Sequence, residues 1–131
     1  MRPGRELDVE VAKTVFGHQI FVKKRILHER TPLGDRPLRS YSKDMAAAWD
    51  VVEKMRIGIL PIENGMWFAI VGSEAGWKSP ADFIDFLQTG NFAKSGAAVA
   101  ESASLSICLA AMNAHQSAKV AASSERTVYE C

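Results

Sequence analysis

Residues Leu38–Met55, LRSYSKDMAAAWDVVEKM, carry the clearest helix signal in the chain, and the rest reads as partner or connector to them. Met45, Ala48, Trp49, Val52 and Met55 recur at spacings of three and four, while Lys43, Asp50, Glu53, Lys54 and Arg56 fall on other sides. This is the pattern of a helix that buries one stripe, and it assigns Trp49 to the core. Ser42 stands where an N-cap belongs, and Asp44 just inside the first turn complements the positive end of the helix dipole. Residues 37–41 read as extended.

Working outward, residues 6–16 read as a first helix with Leu7, Val11 and Val15 on one stripe, and Gly17 after it is suited to a positive φ. Ile20, Phe21 and Val22 form a short β-branched and aromatic run that Lys23, Lys24 and Arg25 carry to the surface as a strand. Residues 28–37, with two prolines and a glycine, read as a loop. Beyond the central helix, a strand over residues 57–63 is followed by the turn pair Asn64-Gly65 and a return strand over 66–72. Pro61 marks the first of these as an edge strand or a bulge. Ser79-Pro80 opens a short helix stopped by Gly90, residues 96–100 suit another strand, and Leu105, Cys108, Leu109 and Met112 mark a last helix of about three turns from Ser102. The expectation is one α/β domain over residues 1–115, a layered sandwich with a small antiparallel-dominated sheet of about three to five strands packed by helices. Residues 116–131, rich in Ala and Ser, read as a frayed tail.

A hydrophobic share of 47%, a charged share of 24% and a formal net charge of +1 describe an ordinary globular protein, with no general attraction for long nucleic acid or an anionic membrane. The charge is unevenly spread. Residues 1–62 hold twelve Lys/Arg against eight Asp/Glu and residues 63–131 hold four against seven, so the halves differ as +4 and −3. No apolar run is long enough for a signal peptide or a membrane span, which points to the cytoplasm of a host cell. Two cysteines, Cys108 in an apolar helical pattern and Cys131 at the end, form neither a disulfide framework nor a zinc site.

No catalytic motif stands out. His18, His28 and His115 lack acidic or cysteine neighbours at metal-ligand spacing, so neither a metal nor a cofactor is expected. Asp82 and Asp85 lie at i, i+3 among Phe83, Ile84, Phe86 and Leu87 and read as the solvent face of a short helix. Gly72-Ser-Glu-Ala-Gly76 lacks the Gly-Lys-Ser/Thr ending of a phosphate-binding loop. What remains is aromatic and cationic: Trp67, Trp77 and Phe92, with Arg36, Arg39, Tyr41 and Lys43 on the segment entering the central helix. Aromatic faces with guanidinium and ammonium groups are what a planar base and a phosphate require.

The string Tyr41-Ser42-x-Asp44-x-Ala46-Ala47-Ala48-Trp49-x-Val51-Val52-Glu53-Lys54-Met55, a following strand with tryptophan, and a late Ala103-x-Leu105-x-Ile107-Cys108-x-Ala110-Ala111 helix resemble the phage ABA-sandwich domain family. With Val15-Phe16-Gly17-His18, the resemblance covers roughly two thirds of the chain; extra residues around Lys78–Lys94 depart from the family's pattern. It implies an α/β layered fold and a mobile-element origin. On that origin rests the functional expectation: a non-enzymatic phage or prophage protein that sequesters a nucleotide-derived immune signal, such as a cyclic ADP-ribose relative or a cyclic oligonucleotide, and so counteracts host defence. The alternatives are a protein-interaction module that occludes a host protein and, third, a nucleotide phosphodiesterase. A homo-oligomer is expected from the Pro-marked sheet edge and the small residues on the helices.

Overall fold

The computed structural model describes residues 2–71, 79, 81 and 96–130, with side chains as far as Gln116. Among the described residues, six strands form two separate antiparallel sheets rather than one. The first, in the order β1 (Gln19–Lys23), β2 (Ile26–Thr31) and β3 (Gly34–Pro37), follows helix α1 (Arg5–Thr14). The second joins β4 (Ile57–Pro61), β5 (Trp67–Val71) and β6 (Ala97–Ala100), with α2 (Met45–Met55) before it and α3 (Ala103–Glu130) after it. Among the described residues this is an α/β sandwich of two sheets packed against three helices.

The turns show why the chain folds so. Gly17 takes φ +70° and lets His18 donate its N–H back to Ala12 O at 3.0 Å, closing α1 as expected of that glycine. Asn64 and Gly65 both have positive φ (64° and 70°), which a tight hairpin between β4 and β5 requires. Residues 28–37 are not a loop. They supply the end of β2 and all of β3, because Thr31-Pro32-Leu33-Gly34 makes a tight turn in which the Thr31 hydroxyl donates to Gly34 O (2.8 Å) and accepts the Leu33 N–H (3.1 Å).

The central helix departs from the sequence reading in two ways. Asp44, not Ser42, is its N-cap, with Asp44 Oδ1 accepting the Ala46 N–H at 3.1 Å. Its buried residues are Ala47, Ala48 and Val51, while Val52 and Met55 are partly buried, so the inward face is turned away from Met45 and Trp49. Trp49 is 49% exposed, its Nε1–H donating to Glu53 on the next turn. Alanines on the inner side let α2 lie close to α3, where a tryptophan would hold the helices apart.

Helix α3 is capped by Ser102, whose hydroxyl accepts the Leu105 N–H at 3.2 Å, and runs well past the expected three turns. Its Leu105, Ile107, Cys108, Ala111 and Ala114 belong to one core with Ile57, Ala69 and Val71 of the second sheet, and Leu7 and Val11 of α1. Burial, with the charge of Asp8 adding to it, pushes the Cys108 thiol up to about 12. It is a neutral core residue, as its sequence setting suggested. The expected helix after Ser79-Pro80, with Asp82 and Asp85, and the Gly72–Gly76 segment lie outside the described residues.

Candidate functional site

The segment between β3 and α2, which carries Leu38, Arg39, Tyr41 and Ser42, is gripped by two buried carboxylates from other elements. Glu29 projects from the middle of β2 and is fully buried, as is Tyr41. Glu29 Oε1 accepts from the Tyr41 hydroxyl (2.7 Å) and Arg36 Nη2 (3.3 Å) and lies 2.7 Å from His18 Nδ1; Oε2 accepts the Arg39 backbone N–H at 2.9 Å. Phe16 stacks on both the His18 and Tyr41 rings, each at 5.5 Å between centroids. The second carboxylate, Asp8 of α1, accepts the Ser42 N–H at 2.9 Å and the Ser42 hydroxyl at 2.8 Å, and pairs with Arg5 at 3.0 Å. Arg5 in turn donates to Leu38 O at 2.8 Å.

These contacts set the electrostatics. Burial works to raise the Glu29 pKa, yet the Arg39 N–H, Tyr41, His18 and the charge of Arg36 together outweigh it and hold the carboxyl below its ordinary range. Burial and the ionised Glu29 push the Tyr41 hydroxyl in the other direction, so it stays a neutral donor. Arg36 is likewise held more firmly protonated: burial opposes its charge, but Tyr41 and Glu29 favour it. Both Glu29 oxygens are already hydrogen-bonded, which makes the group an organiser of the loop rather than a base poised to take a substrate proton. One donor in the cluster is unspent: Arg36 Nε is buried with no hydrogen-bond partner.

Arg36, Arg39 and Tyr41, three of the residues singled out by the sequence, are therefore brought together. Arg36 Nη2 reaches the Tyr41 hydroxyl at 3.5 Å, and the Arg39 guanidinium lies 5.7 Å from the Tyr41 ring centroid while pairing with Asp50 of α2. Lys43 is exposed on the turn just before α2. Trp67 is half-buried at the start of β5, on the other sheet, in register with Pro61 and Ala100. Trp77 and Phe92 lie outside the described residues. The sequence reading missed Glu29, Asp8 and the role of His18. A signal was present for Glu29 alone, as an acid alternating with Leu27 on the inward side of a strand; the His18–Glu29 pairing spans eleven residues and has no local signature.

Among the described residues no group of three or more His, Cys, Asp or Glu could hold a metal ion, and no helix is long and apolar enough to cross a membrane. The sequence pattern of the phage ABA sandwich domain matches residues 10–112. The chain belongs to the phage ABA sandwich domain family. It is a phage or prophage domain, and both gripping carboxylates' partners, Tyr41 and Ser42, fall within the matched region. Among solved structures the domain is similar to a phage protein from Bacillus cereus ATCC 14579, at 20% identity and a TM-score of 0.57 over 88% of this chain and 89% of that one. At that identity the likeness speaks to the fold. No curated protein matches the chain.

Proposed function

We propose that this domain is a non-enzymatic binding protein serving a phage or prophage, and that it sequesters a nucleotide-derived small molecule of the kind used as a host immune signal. The observation that supports this reading is the convergence of two guanidinium groups on Tyr41 at one corner of the fold. Arg36 is committed to buried Glu29, but in the pair of Arg39 with Asp50 the two side chains are 26% and 47% exposed. An ion pair so open to water contributes little, and a ligand phosphate exchanges with the Asp50 carboxylate at small cost. Lys43 on the adjoining turn adds a second cation. Tyr41 is buried, so its ring cannot stack on a base, and in this reading that role falls to Trp77.

Calorimetry with cyclic ADP-ribose relatives and cyclic oligonucleotides tests it, together with mass spectrometry of small molecules released by heating the purified protein. Trp77→Ala is expected to lose about 1–3 kcal/mol of binding, roughly five- to 150-fold in affinity, and Arg39→Ala to weaken retention with the melting temperature near wild type. Unchanged binding in both variants removes the reading. A second reading, a module that occludes a host protein, is favoured by Trp49: an exposed tryptophan with Met45 exposed one turn earlier is the residue type that dominates interface energetics. Inhibition of a purified host enzyme that is lost in Trp49→Ala, with no small molecule released on heating, supports the second reading over the first.

A further inference from the structure

The two faces of the first sheet differ in character. Ile20 and Leu27 turn inward and pack against the core, with buried Glu29 beside them. On the other face the register sets Phe21 of β1, His28 of β2 and Pro37 of β3 directly opposite one another, a row of three rings across the sheet. The Phe21 and His28 rings stack with centroids 5.5 Å apart and planes 24° apart, and the Arg30 guanidinium lies over the Phe21 ring at 5.0 Å from its centroid. This face is open to solvent: Pro37 is exposed, as are Arg30 and Lys23 on either side of the row, and Phe21 and His28 are half-buried.

Cations border the row on both sides. Arg30 lies on one, and Lys23 on the other with Lys24 and Arg25 in the turn that follows it. Lys24 and Arg25 have φ of 53° and 66°, a conformation that asparagine and glycine adopt with less strain, so the turn carries its two cations against the local preference. Between Gln19 and Pro37 the acids are Glu29, buried on the other face, and Asp35. Asp35 accepts from Arg30 Nε at 3.1 Å, but the two side chains are 46% and 57% exposed, and a pair so wet yields readily to a phosphate. A chain of net charge +1 exerts no long-range pull on a polyanion, so what this face attracts it attracts locally.

We propose that this outer face binds a short stretch of single-stranded nucleic acid, its bases stacked on the Phe21–His28–Pro37 row and its phosphates held by Arg30 on one side and by Lys23, Lys24 and Arg25 on the other. Three strands about 4.8 Å apart make the row about 10 Å long, room for two or three bases. A duplex hides the flat faces of its bases and could use only the cations, and an acidic protein would likewise leave the rings idle. The polar groups placed to read a ribose hydroxyl, Gln19 and Asp35, are both engaged by Arg30, so the face is indifferent to the sugar. The inference is independent of the signal-binding reading above, because Arg36 lies opposite Glu29 on the inner face of the sheet.

Fluorescence anisotropy with a labelled oligo(dA) of about ten nucleotides at about 50 mM salt tests it. The wild type is expected to bind it, to bind the RNA of the same sequence equally well, and to bind the matching duplex more weakly. Three or four engaged phosphates give a log–log salt slope of about 2–3, which Lys24→Gln lowers by about 0.7. Phe21→Leu keeps the bulk and loses the ring, and is expected to weaken binding about five- to 150-fold, with Phe21→Tyr restoring it. No binding by the wild type at millimolar protein overturns the inference, as does equal binding by Phe21→Leu, a preference for the duplex, or self-association through this face in place of oligonucleotide binding. Should Phe21→Leu fail to fold, amide shifts in the labelled wild type decide: the oligonucleotide is expected to move Phe21, Lys23, His28 and Arg30, and stationary resonances there refute the site. Retention of cyclic nucleotides by Phe21→Leu at the wild-type level separates this face from the Arg39 corner, so either reading can fail without the other.

Discussion

Asp8 reaches across 34 residues to Ser42 and takes both its backbone N–H, at 2.9 Å, and its hydroxyl, at 2.8 Å. The serine that sequence pattern places at the start of α2 as a cap is thereby turned inward to fasten α1 to the loop ahead of α2. Capping passes to Asp44. Ser104 at the start of α3 adds to the fastening by donating to Ser42 O at 3.1 Å, so one serine gathers the beginnings of α1, α2 and α3. Gly4 and Arg5 at the head of α1 reinforce the tie, Gly4 N–H donating to the Ser42 hydroxyl at 2.9 Å and Arg5 to Leu38 O at 2.8 Å.

The first prediction separates the two roles. Asp44→Ala is expected to cost about 1 kcal/mol, the usual loss of an N-cap. Asp8→Ala leaves the buried Ser42 N–H without its acceptor, and its expected cost is larger, about 2–4 kcal/mol. Urea denaturation measures both. Equal, small losses at the two positions would show that Asp8 does not hold the loop.

Trp49→Ala distinguishes the observed helix face from the one that spacing alone suggests. A core tryptophan lost to alanine costs about 3–5 kcal/mol, whereas this half-exposed ring should cost about 1 kcal/mol or less. The native protein is expected to show a tryptophan signal quenched readily by iodide and reduced in the variant. A collapse of the thermal transition in Trp49→Ala would return the ring to the core.

The error at Trp49 shows what periodicity can and cannot decide. Met45, Trp49 and Val52 do form a stripe, but so do Ala47, Ala48, Val51 and Met55, and only close packing against α3 selects the alanine side. The helices, the Asn64-Gly65 hairpin and the Gly17 stop are local matters of capping and positive φ, and the residues state them directly. The split into two sheets is not local, because Thr31-Pro32-Leu33-Gly34 resembles a loop until its side-chain hydrogen bonds make it a hairpin. Of the candidate site, Arg36, Arg39 and Tyr41 were legible as one segment of chain. Glu29, which organises them, was not, since a buried acid announces itself only through partners distant in sequence.

Glu29 gives a prediction with a definite sign. Its folded-state pKa lies below the ordinary 4.5, so folding favours the ionised form. The stability this supplies is present above pH 4.5 and is lost as pH falls through the depressed folded value. Denaturant titrations on the two sides of that pH should show an acid limb that is shallower in Glu29→Gln, which carries no titrating proton. The variant is expected to be less stable at neutral pH, because the amide cannot accept every donor that the carboxylate serves. An acid limb of unchanged slope in Glu29→Gln would assign acid sensitivity to other carboxylates.

Gly96 supplies the sharpest steric test. Its φ is +74°, its carbonyl accepts the Val71 N–H at 3.1 Å, and an added Cβ would lie 2.6 Å from Ala114 Cβ and 3.1 Å from Ala114 Cα. The obstacle includes the backbone of α3, so relief requires the helix to move away from β6 at the point where Asn113 Nδ2 donates to Ala97 O at 2.9 Å. Gly65 offers an internal control, with φ +70° and open space where its Cβ would go. Gly65→Ala carries only the left-handed penalty of about 1–2 kcal/mol, and Gly96→Ala adds overpacking of about 1–3 kcal/mol. The Gly96 variant should therefore melt distinctly lower than the Gly65 variant in parallel calorimetric scans. Equal melting temperatures would mean that β6 and α3 are not held as closely as these distances require.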